Sequence, residues 1–301
     1  MKFRKLFITK VTCWILFFIM LAACKGRTDT SKSTLHESTD QGKKDKSNTE
    51  SVYYRFPTPN EIFDFIKNER LKFDQGLINP KSNAEKYLSS KTQTLGLGLY
   101  VADLAYITLF EAYNLSTEYY QVIHNLSEKV RITSAYDLAV SQRIEKNLLN
   151  VDSLKTISVD SYSSMVEYLV MNNREKTLAL IASGAYVECL YIAFTLAGKY
   201  SDKNPMIAKI VDLKYAFENL YSYLQIYSDD VAIKEVGFEF SKLEELFTSM
   251  QKKSLGKTTV KQKSDGSYEL GGGNQLVLDN ASFDKLKAEV LRLRKLFLES
   301  Y

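Results

Sequence analysis

Two stretches of this chain, residues 96–106 and residues 183–191, carry apolar side chains around nearly the whole circumference of a helix. A helix that is apolar on every side must be surrounded by other protein, so these stretches predict two helices at the centre of a folded domain. Gly98 lies near the start of one and Gly184 near the start of the other, and the same Tyr, Val and Leu follow each glycine at the same spacing. An internal duplication would explain this similarity, but a match over so few positions also arises by chance.

The segments around these two stretches have the periodicity of amphipathic helices, with apolar residues at steps of three and four. Thr58-Pro59-Asn60-Glu61 contains the N-cap threonine, first-turn proline and glutamate that are typical of a helix start, and Asn204-Pro205 begins another helix. Predicted helices lie near residues 82–113, 116–131, 134–150, 153–172 and 174–199, and core-facing stripes run through 207–227, 236–250 and 283–297. We therefore expect a single all-α domain over residues 53–301, a multi-helix bundle or helical-hairpin array of about eight helices.

One segment, residues 257–278, breaks the helical pattern. Asp265-Gly266 lies between the short runs 258–263 and 267–270, and Asp-Gly between two such runs is typical of a hairpin turn. We predict a small, mostly polar β-hairpin or meander inserted before the last helix. The glycines at 271–273 are interpreted as a turn, because a phosphate-binding loop would be followed by Gly-Lys-Ser or Gly-Lys-Thr.

The N-terminus has the three parts of a secretory signal peptide, which we place at residues 1–23. Four basic residues come first, Val11–Met20 is almost entirely apolar, and Leu21-Ala22-Ala23-Cys24 places two small residues before a cysteine. This last motif resembles the lipobox of bacterial lipoproteins, which implies cleavage before Cys24 and attachment of fatty acyl chains such as palmitate. One alternative is an uncleaved membrane helix, but the apolar run is shorter than the ~20 residues that a span needs. The other is an ordinary secretory signal with a chance cysteine.

Residues 24–52 predict a disordered tether behind the lipidated cysteine. Leu35 is the one large apolar side chain before Val52, so the segment cannot bury enough surface to offset its chain entropy. Removal of residues 1–23 also changes the charge, because the chain has 40 basic and 36 acidic residues and that segment holds four basic and no acidic ones. The mature chain therefore has no formal net charge, and charge gives no argument for a nucleic-acid partner.

Asp103 and Glu188 stand out because each is an acid within one of the two apolar helices. A buried carboxylate needs a partner or loses its charge. The interpretation we favour is structural: each accepts hydrogen bonds from tyrosine hydroxyls, from an arginine such as Arg131, or from a helix N-terminus. The functional interpretation is a carboxylate pair that lines one pocket, where it does acid–base work or binds a cation. Four tyrosines of the same two helices would line that pocket: Tyr100, Tyr106, Tyr186 and Tyr191.

The sequence offers little support for other site chemistry. The two histidines, His36 and His124, are far apart, so neither a zinc site nor a Ser-His-Asp triad is predicted, and no cofactor is expected. Cys13 leaves with the signal peptide and Cys24 is lipidated. Cys189 then remains alone and is predicted to be a small core residue, with no disulfide in the mature chain.

The segments 57–62, 77–80, 98–106 and 184–191, in this order, resemble a family of uncharacterised helical lipoproteins from Bacteroidota. The resemblance covers most of the folded part and implies a lipid-anchored protein of the outer membrane. It implies no activity. The residues after Cys24 lack the acidic run that resembles a surface-export signal in these bacteria, which favours the periplasmic face.

We therefore expect a non-enzymatic binding or assembly component of the cell envelope. Its lipid holds it on the membrane, another envelope protein is a candidate partner, and nucleic acid is not. The alternative is a helical envelope enzyme, or a small-ligand or glycan-binding protein, that uses the carboxylate and tyrosine pocket around Asp103 and Glu188.

Overall fold

The computed structural model describes residues 58–63, 71–132, 151–263 and 266–299, together with positions 143 and 146. The signal peptide, Cys24 and the tether lie outside the described residues, as does nearly all of the helix predicted at 134–150 and Asp265 of the predicted turn.

The described part of the chain is mainly helical, which confirms the all-α prediction. Its α-helices are α1 (Pro59–Phe63), α2 (Ser90–Leu109), α3 (Tyr113–Val130), α4 (Val151–Met171), α5 (Glu175–Ala197), α6 (Pro205–Ile226), α7 (Val231–Thr248) and α8 (Asn280–Leu298). Two short 3-10 helices, Gln75–Leu77 and Lys81–Lys86, precede α2. Four strands lie between α7 and α8: β1 (Gln251–Ser254), β2 (Thr259–Gln262), β3 (Tyr268–Gly271) and β4 (Asn274–Val277).

Helices α2 and α5, which contain the two apolar stretches, form the centre of the domain. Their mutual contact is the most extensive between any two elements of the described chain, and α5 also contacts α1, α4, α6, α7 and α8. Within the described ranges, α5 is the one helix long and apolar enough to cross a membrane, but 89% of its apolar window is buried inside the protein. It is therefore packed as the core helix of a globular domain.

The close approach of α2 and α5 requires a glycine in each helix. A Cβ atom on Gly98 would overlap the carbonyl oxygen of Ile181 and lie 2.7 Å from the backbone nitrogen of Ala185. A Cβ atom on Gly184 would in turn overlap the carbonyl oxygen of Leu95. Each glycine thus contacts the backbone of the other helix. Close packing therefore explains why both stretches contain a glycine at this position, without an internal duplication.

Side-chain caps start two helices as the sequence predicts. The Thr58 hydroxyl accepts a hydrogen bond from the N–H of Glu61 at 3.1 Å, and the Glu61 carboxylate accepts one from the N–H of Thr58 at 2.6 Å. These two bonds form a capping box at the start of α1. Asn204 caps α6 by accepting the N–H of Met206 at 3.0 Å, with Pro205 in the first turn.

Helix α2 is shorter than the helix predicted at 82–113. Ser89 and Thr92 form a reciprocal capping box, so the helix begins at Ser90. The ring of Tyr87, which precedes the helix, packs directly onto Gly96, because glycine has no side chain to keep the ring at a distance. Because the chain turns at this point, the segment of residues 71–89, which we term the α2 loop, runs back along α2 and contacts it at several places.

The four strands form an insertion that is longer than the sequence suggests. β2 pairs with β3 in antiparallel fashion, which confirms the predicted hairpin. β4 does not extend that hairpin into a meander but pairs with β1, so the insertion begins at Gln251 rather than near residue 257. We term the segment Gln251–Val277 the β-ribbon.

Candidate functional site

Asp103 and Glu188, the two acids that the sequence places in apolar helices, meet in the core of the protein. Asp103 projects from α2 and Glu188 from α5, and neither residue has solvent-exposed surface. Their carboxyl groups are within hydrogen-bonding reach of each other. The glycine contact between α2 and α5 brings them together, because each acid lies roughly one helical turn beyond the glycine of its own helix.

Arg294 of α8 is the cationic partner of Glu188. Its Nε donates to Glu188 Oε2 at 2.8 Å and its Nη2 donates to Glu188 Oε1 at 2.7 Å, which is the bidentate geometry of a strong ion pair. The guanidinium carbon lies 3.8 Å from the ring centroid of Tyr191, so the cation also stacks on an aromatic face. Nη2 donates in addition to the carbonyl oxygen of Leu77 at 3.2 Å. This one side chain therefore ties α8 to α5 and to the α2 loop.

Asn79 of the α2 loop covers the other side of the acid pair. Its backbone N–H donates to Asp103 Oδ2 at 3.1 Å, and its carbonyl oxygen accepts from the Tyr119 hydroxyl at 2.8 Å. Its side-chain Nδ2 donates to the Tyr87 hydroxyl at 3.1 Å, and its Oδ1 accepts from Asn83 at 2.6 Å. Asn79 is completely buried, and these four bonds satisfy its backbone and its amide.

The cluster is electrically neutral only when one of its carboxyl groups holds a proton, since it contains two acids and one cation. Burial, reinforced by the neighbouring Glu188, raises the pKa of Asp103 well above its usual range. Burial also raises the pKa of Glu188, but Arg294 opposes that rise. Oδ1 of Asp103 accepts no hydrogen bond from a described residue, so it is the oxygen available to carry the proton. We infer that protonated Asp103 donates to an ionised Glu188, which in turn is paired with Arg294.

Of the four candidate tyrosines, Tyr100, Tyr106 and Tyr186 have hydroxyl groups that are hydrogen-bonded to backbone atoms. Tyr100 donates to the carbonyl oxygen of Pro80 at 2.8 Å, and the Tyr106 hydroxyl accepts from the N–H of Asp74 at 3.1 Å. Both bonds fasten the α2 loop to α2. Tyr186 donates to the carbonyl oxygen of Leu213 on α6 at 2.9 Å. Of the four, Tyr191 alone touches the acid cluster, through the Arg294 guanidinium.

Arg131 is not the arginine of this site. It ends α3 in a left-handed backbone conformation with φ 61°, and its carbonyl oxygen accepts a hydrogen bond from Arg174 at 2.6 Å. Arg294 and Asn79 are site residues that were not predicted from the sequence. A signal for Arg294 exists, because it lies four residues after Val290 and three before Phe297 and so falls at the edge of the core-facing stripe of α8.

The remaining candidates for site chemistry lie apart from one another. Cys189 is fully buried, and burial raises the pKa of its thiol well above the usual value, so the thiol stays protonated and unreactive. This placement agrees with the small core residue that was predicted. Among the described residues, no group of three or more His, Cys, Asp and Glu side chains is arranged to hold a metal ion.

Neither carboxyl group of the acid pair lines any of three cavities in the described part of the chain. The roomiest is a surface cleft of about 280 Å³ between α2, α7 and α8, lined by Lys91, Glu235, Glu239 and Glu299 over an apolar floor. Lys91 pairs with Glu235 at 2.5 Å, and Arg292 pairs with Glu239 at 2.7 Å. The other two hold about 20 Å³ each, the size of a single water.

A comparison with protein-family models, with curated proteins and with solved structures finds no match for this chain.

Proposed function

We propose that this chain is a lipid-anchored protein of the cell envelope whose helical domain serves as a non-catalytic binding or assembly component. One observation carries the non-catalytic part: neither of the two acids most suited to chemistry has exposed surface, and Glu188 is paired with Arg294. The cluster joins α2, α5, α8 and the α2 loop, so its evident effect is to hold the ends of the domain together.

The alternative of an enzyme or a ligand-binding pocket requires a carboxyl group that a substrate can reach. A general acid or base must come within hydrogen-bond distance of the reacting group, directly or through one water. Here the oxygens of Glu188 are occupied by Arg294, and Asp103 is covered by the α2 loop. Three of the four tyrosines that would line such a pocket, Tyr100, Tyr106 and Tyr186, have hydroxyl groups that are hydrogen-bonded to backbone atoms.

The envelope location is supported by the lipobox-like motif that ends at Cys24. Cys24→Ser should abolish incorporation of an alkynyl fatty acid in growing cells and prevent cleavage before residue 24. Cys13→Ser is the matched control, because it removes a cysteine of the signal peptide and should leave labelling unchanged. Equal labelling of the parent chain and Cys24→Ser would refute lipidation at this position.

We further propose that the protein faces the periplasm from the outer membrane. Proteinase K added to intact cells should then leave the chain uncut, and permeabilising the outer membrane should allow cleavage within residues 25–52. Cleavage on intact cells would place the domain on the cell surface instead.

A conservative substitution separates the non-catalytic function from an enzymatic one. Asp103→Asn keeps the shape of the side chain and a hydrogen-bond donor toward Glu188, but it cannot transfer a proton. A deletion strain that carries Asp103→Asn should therefore regain envelope integrity, scored by detergent sensitivity, to the level of the parent chain. If Asp103→Asn is produced, lipidated and folded yet does not complement the deletion, the enzymatic alternative takes precedence.

A further inference from the structure

The β-ribbon projects from the helical domain as one continuous two-stranded structure. The N–H of Leu255 donates to the carbonyl oxygen of Gly273 at 2.8 Å, and the N–H of Gly273 donates to that of Gly256 at 2.9 Å, which joins the two pairs of strands. β1 and β2 are exposed at every residue. Leu276 and Val277 of β4 are partly buried, where the β-ribbon returns to the helical domain. A two-stranded ribbon with so little packed against it is marginally stable by itself, which suggests that it acts on a partner.

The β-ribbon is strongly basic in a chain whose mature part has no formal net charge. Five exposed lysines lie along it: Lys252, Lys253, Lys257, Lys261 and Lys263. Its acidic residues are Asp265 and Glu269, so its formal net charge is +3. None of the five lysines forms an ion pair with a residue of the described ranges, whereas several lysines of the helical body do, such as Lys91 with Glu235 and Lys176 with Asp229.

Apolar side chains are exposed among these lysines. Leu255 is 50% exposed, Val260 60% and Tyr268 67%. In the antiparallel register Gln262 lies opposite Tyr268, and Val260 is two residues from Gln262, so Val260 and Tyr268 share one face of the β2–β3 hairpin. The far half of the β-ribbon is therefore amphipathic: Val260 and Tyr268 lie on one face, and Lys261, which is opposite Glu269 in the register, lies on the other.

This combination fits a bilayer surface better than the other available partners. With the face of Val260 and Tyr268 at the boundary of the acyl region, the lysines of the opposite face would lie at the level of the anionic headgroups and attract them. Pairing of the exposed ribbon edges with those of a second copy would bring two segments of charge +3 together, and like charges oppose that contact. An acidic protein would match the charge but gives no reason for the exposed Val260 and Tyr268.

We propose that the β-ribbon docks onto an anionic lipid surface and so holds the domain against the membrane. The inference deepens the proposed function, because the lipid at Cys24 is what would keep the domain within reach of a bilayer. Because the acyl chains at Cys24 already anchor the protein, the β-ribbon would not supply the anchor but would fix the orientation of the domain against the bilayer.

The test uses the full chain reconstituted in vesicles and a tryptophan placed in the ribbon. The sequence contains one tryptophan, Trp14, within the predicted signal peptide. Tyr268→Trp adds a reporter at an exposed position, and Tyr215→Trp, at a residue that is 56% exposed on α6, is the matched control. In vesicles that contain phosphatidylglycerol and brominated phosphatidylcholine, we expect the emission of Tyr268→Trp to shift to the blue and to be quenched. The emission of Tyr215→Trp should be unchanged, and 1 M salt should reverse the effect at position 268.

Neutralisation of lysines supplies the second measurement. Lys261→Gln combined with Lys263→Gln, in the Tyr268→Trp background, should lower the ratio of docked to undocked ribbon about 30-fold, since each lysine near the surface contributes about a factor of five. Lys234→Gln combined with Lys285→Gln removes two exposed lysines from α7 and α8 and should change nothing.

Each other outcome overturns the proposal. An anionic membrane is excluded as the partner if bromolipid quenches the emission at position 268 no more than that at position 215. It is also excluded if the quenching at position 268 is unchanged in neutral vesicles or in 1 M salt. A shift that depends on protein density and not on lipid charge identifies a second copy, and a shift with polyglutamate but not with vesicles identifies an acidic protein. The parent chain tests the proposed lipid anchor independently of the β-ribbon. Trp14 emission from it would show that the signal peptide was not removed.

Discussion

Asp103→Asn and Glu188→Gln should have opposite effects on stability, although both substitutions replace a buried acid by an amide of the same shape. Burial and the neighbouring Glu188 raise the pKa of Asp103 well above its usual range, so we expect its carboxyl group to hold a proton in the folded protein. An asparagine at this position can accept the N–H of Asn79 and donate to Glu188, so it reproduces both contacts. Glu188→Gln instead removes the charge that balances Arg294, whose side chain is only 13% exposed.

The expected change in unfolding free energy for Asp103→Asn follows from proton linkage. In the unfolded chain an aspartate has a pKa of about 3.9, so above that pH the unfolded state releases a proton that the folded state keeps. Stability contributed by Asp103 is therefore complete below about pH 4 and is lost by about 1.4 kcal/mol per pH unit until the folded pKa is reached. Asp103→Asn has no proton to lose. Relative to the parent chain it should gain about 1.4 kcal/mol in unfolding free energy for each pH unit above pH 4 over which folded Asp103 stays protonated.

The expected change in unfolding free energy for Glu188→Gln follows from the loss of its buried ion pair with Arg294. Removal of one partner from such a pair costs about 3–5 kcal/mol, because the remaining charge is left without compensation. We expect the lower end of that range, about 3 kcal/mol, since Asp103 can ionise in this variant and partly compensate Arg294. Combining Glu188→Gln with Asp103→Asn blocks that compensation, so the double variant should lose more than the sum of the single effects.

The assay is urea unfolding followed by far-UV circular dichroism between pH 5 and pH 8, with unfolding free energies compared at equal m-values. Asp212→Asn, an exposed acid of α6 whose side chain is 63% accessible, is the control and should stay within about 0.5 kcal/mol of the parent chain at every pH. Parallel pH profiles for the parent chain and Asp103→Asn would show that Asp103 is ionised in the fold. Raised stability in both Asp103→Asn and Glu188→Gln would refute the structural interpretation of the cluster and favour a functional pocket.

Further substitutions test the contacts around the cluster. Gly98→Ala should lower the unfolding free energy by about 1–3 kcal/mol, because the added Cβ overpacks α2 against α5. Gly237→Ala is the control: its Cβ would lie 3.7 Å from the nearest atom, so the substitution should raise the unfolding free energy by up to about 1 kcal/mol in the same urea assay. Asn79→Ala should cost about 1–3 kcal/mol for each buried partner left unpaired, and a smaller loss would mean that water replaces the amide. Arg294→Lys should lower the melting temperature because lysine keeps the charge but cannot form the bidentate pair, and a melting temperature equal to that of the parent chain would contradict this. Limited proteolysis should first cut within residues 25–52, and a compact fragment that melts far below the mature chain would show that this segment is structural.

Local patterns in the sequence were sufficient to predict most of the helical architecture. The capping signals at Thr58 and Asn204 begin helices where predicted, because a cap depends on residues within three positions of one another. The continuous apolar stretches identified α2 and α5 as the central helices for the same reason. The start of α2 was misplaced because a second capping box, at Ser89, competes with a helical pattern that continues through it.

The acid pair shows where sequence reasoning ends. That Asp103 and Glu188 need partners follows from the cost of burying a charge, and this could be said from their neighbours in the chain alone. The partner of each acid could not be predicted in this way, because Glu188 is paired with an arginine 106 residues away and Asp103 with the backbone of a loop. On α8, Arg292 and Arg294 differ by two positions, yet one pairs at the surface and the other in the core.

The tertiary structure decided these pairings, since the packing of α8 and the α2 loop against α2 and α5 sets which polar groups share a buried space. A sequence specifies that a buried acid must be compensated. Only the fold brings the compensating groups within the few ångströms at which a hydrogen bond or an ion pair outweighs the loss of water.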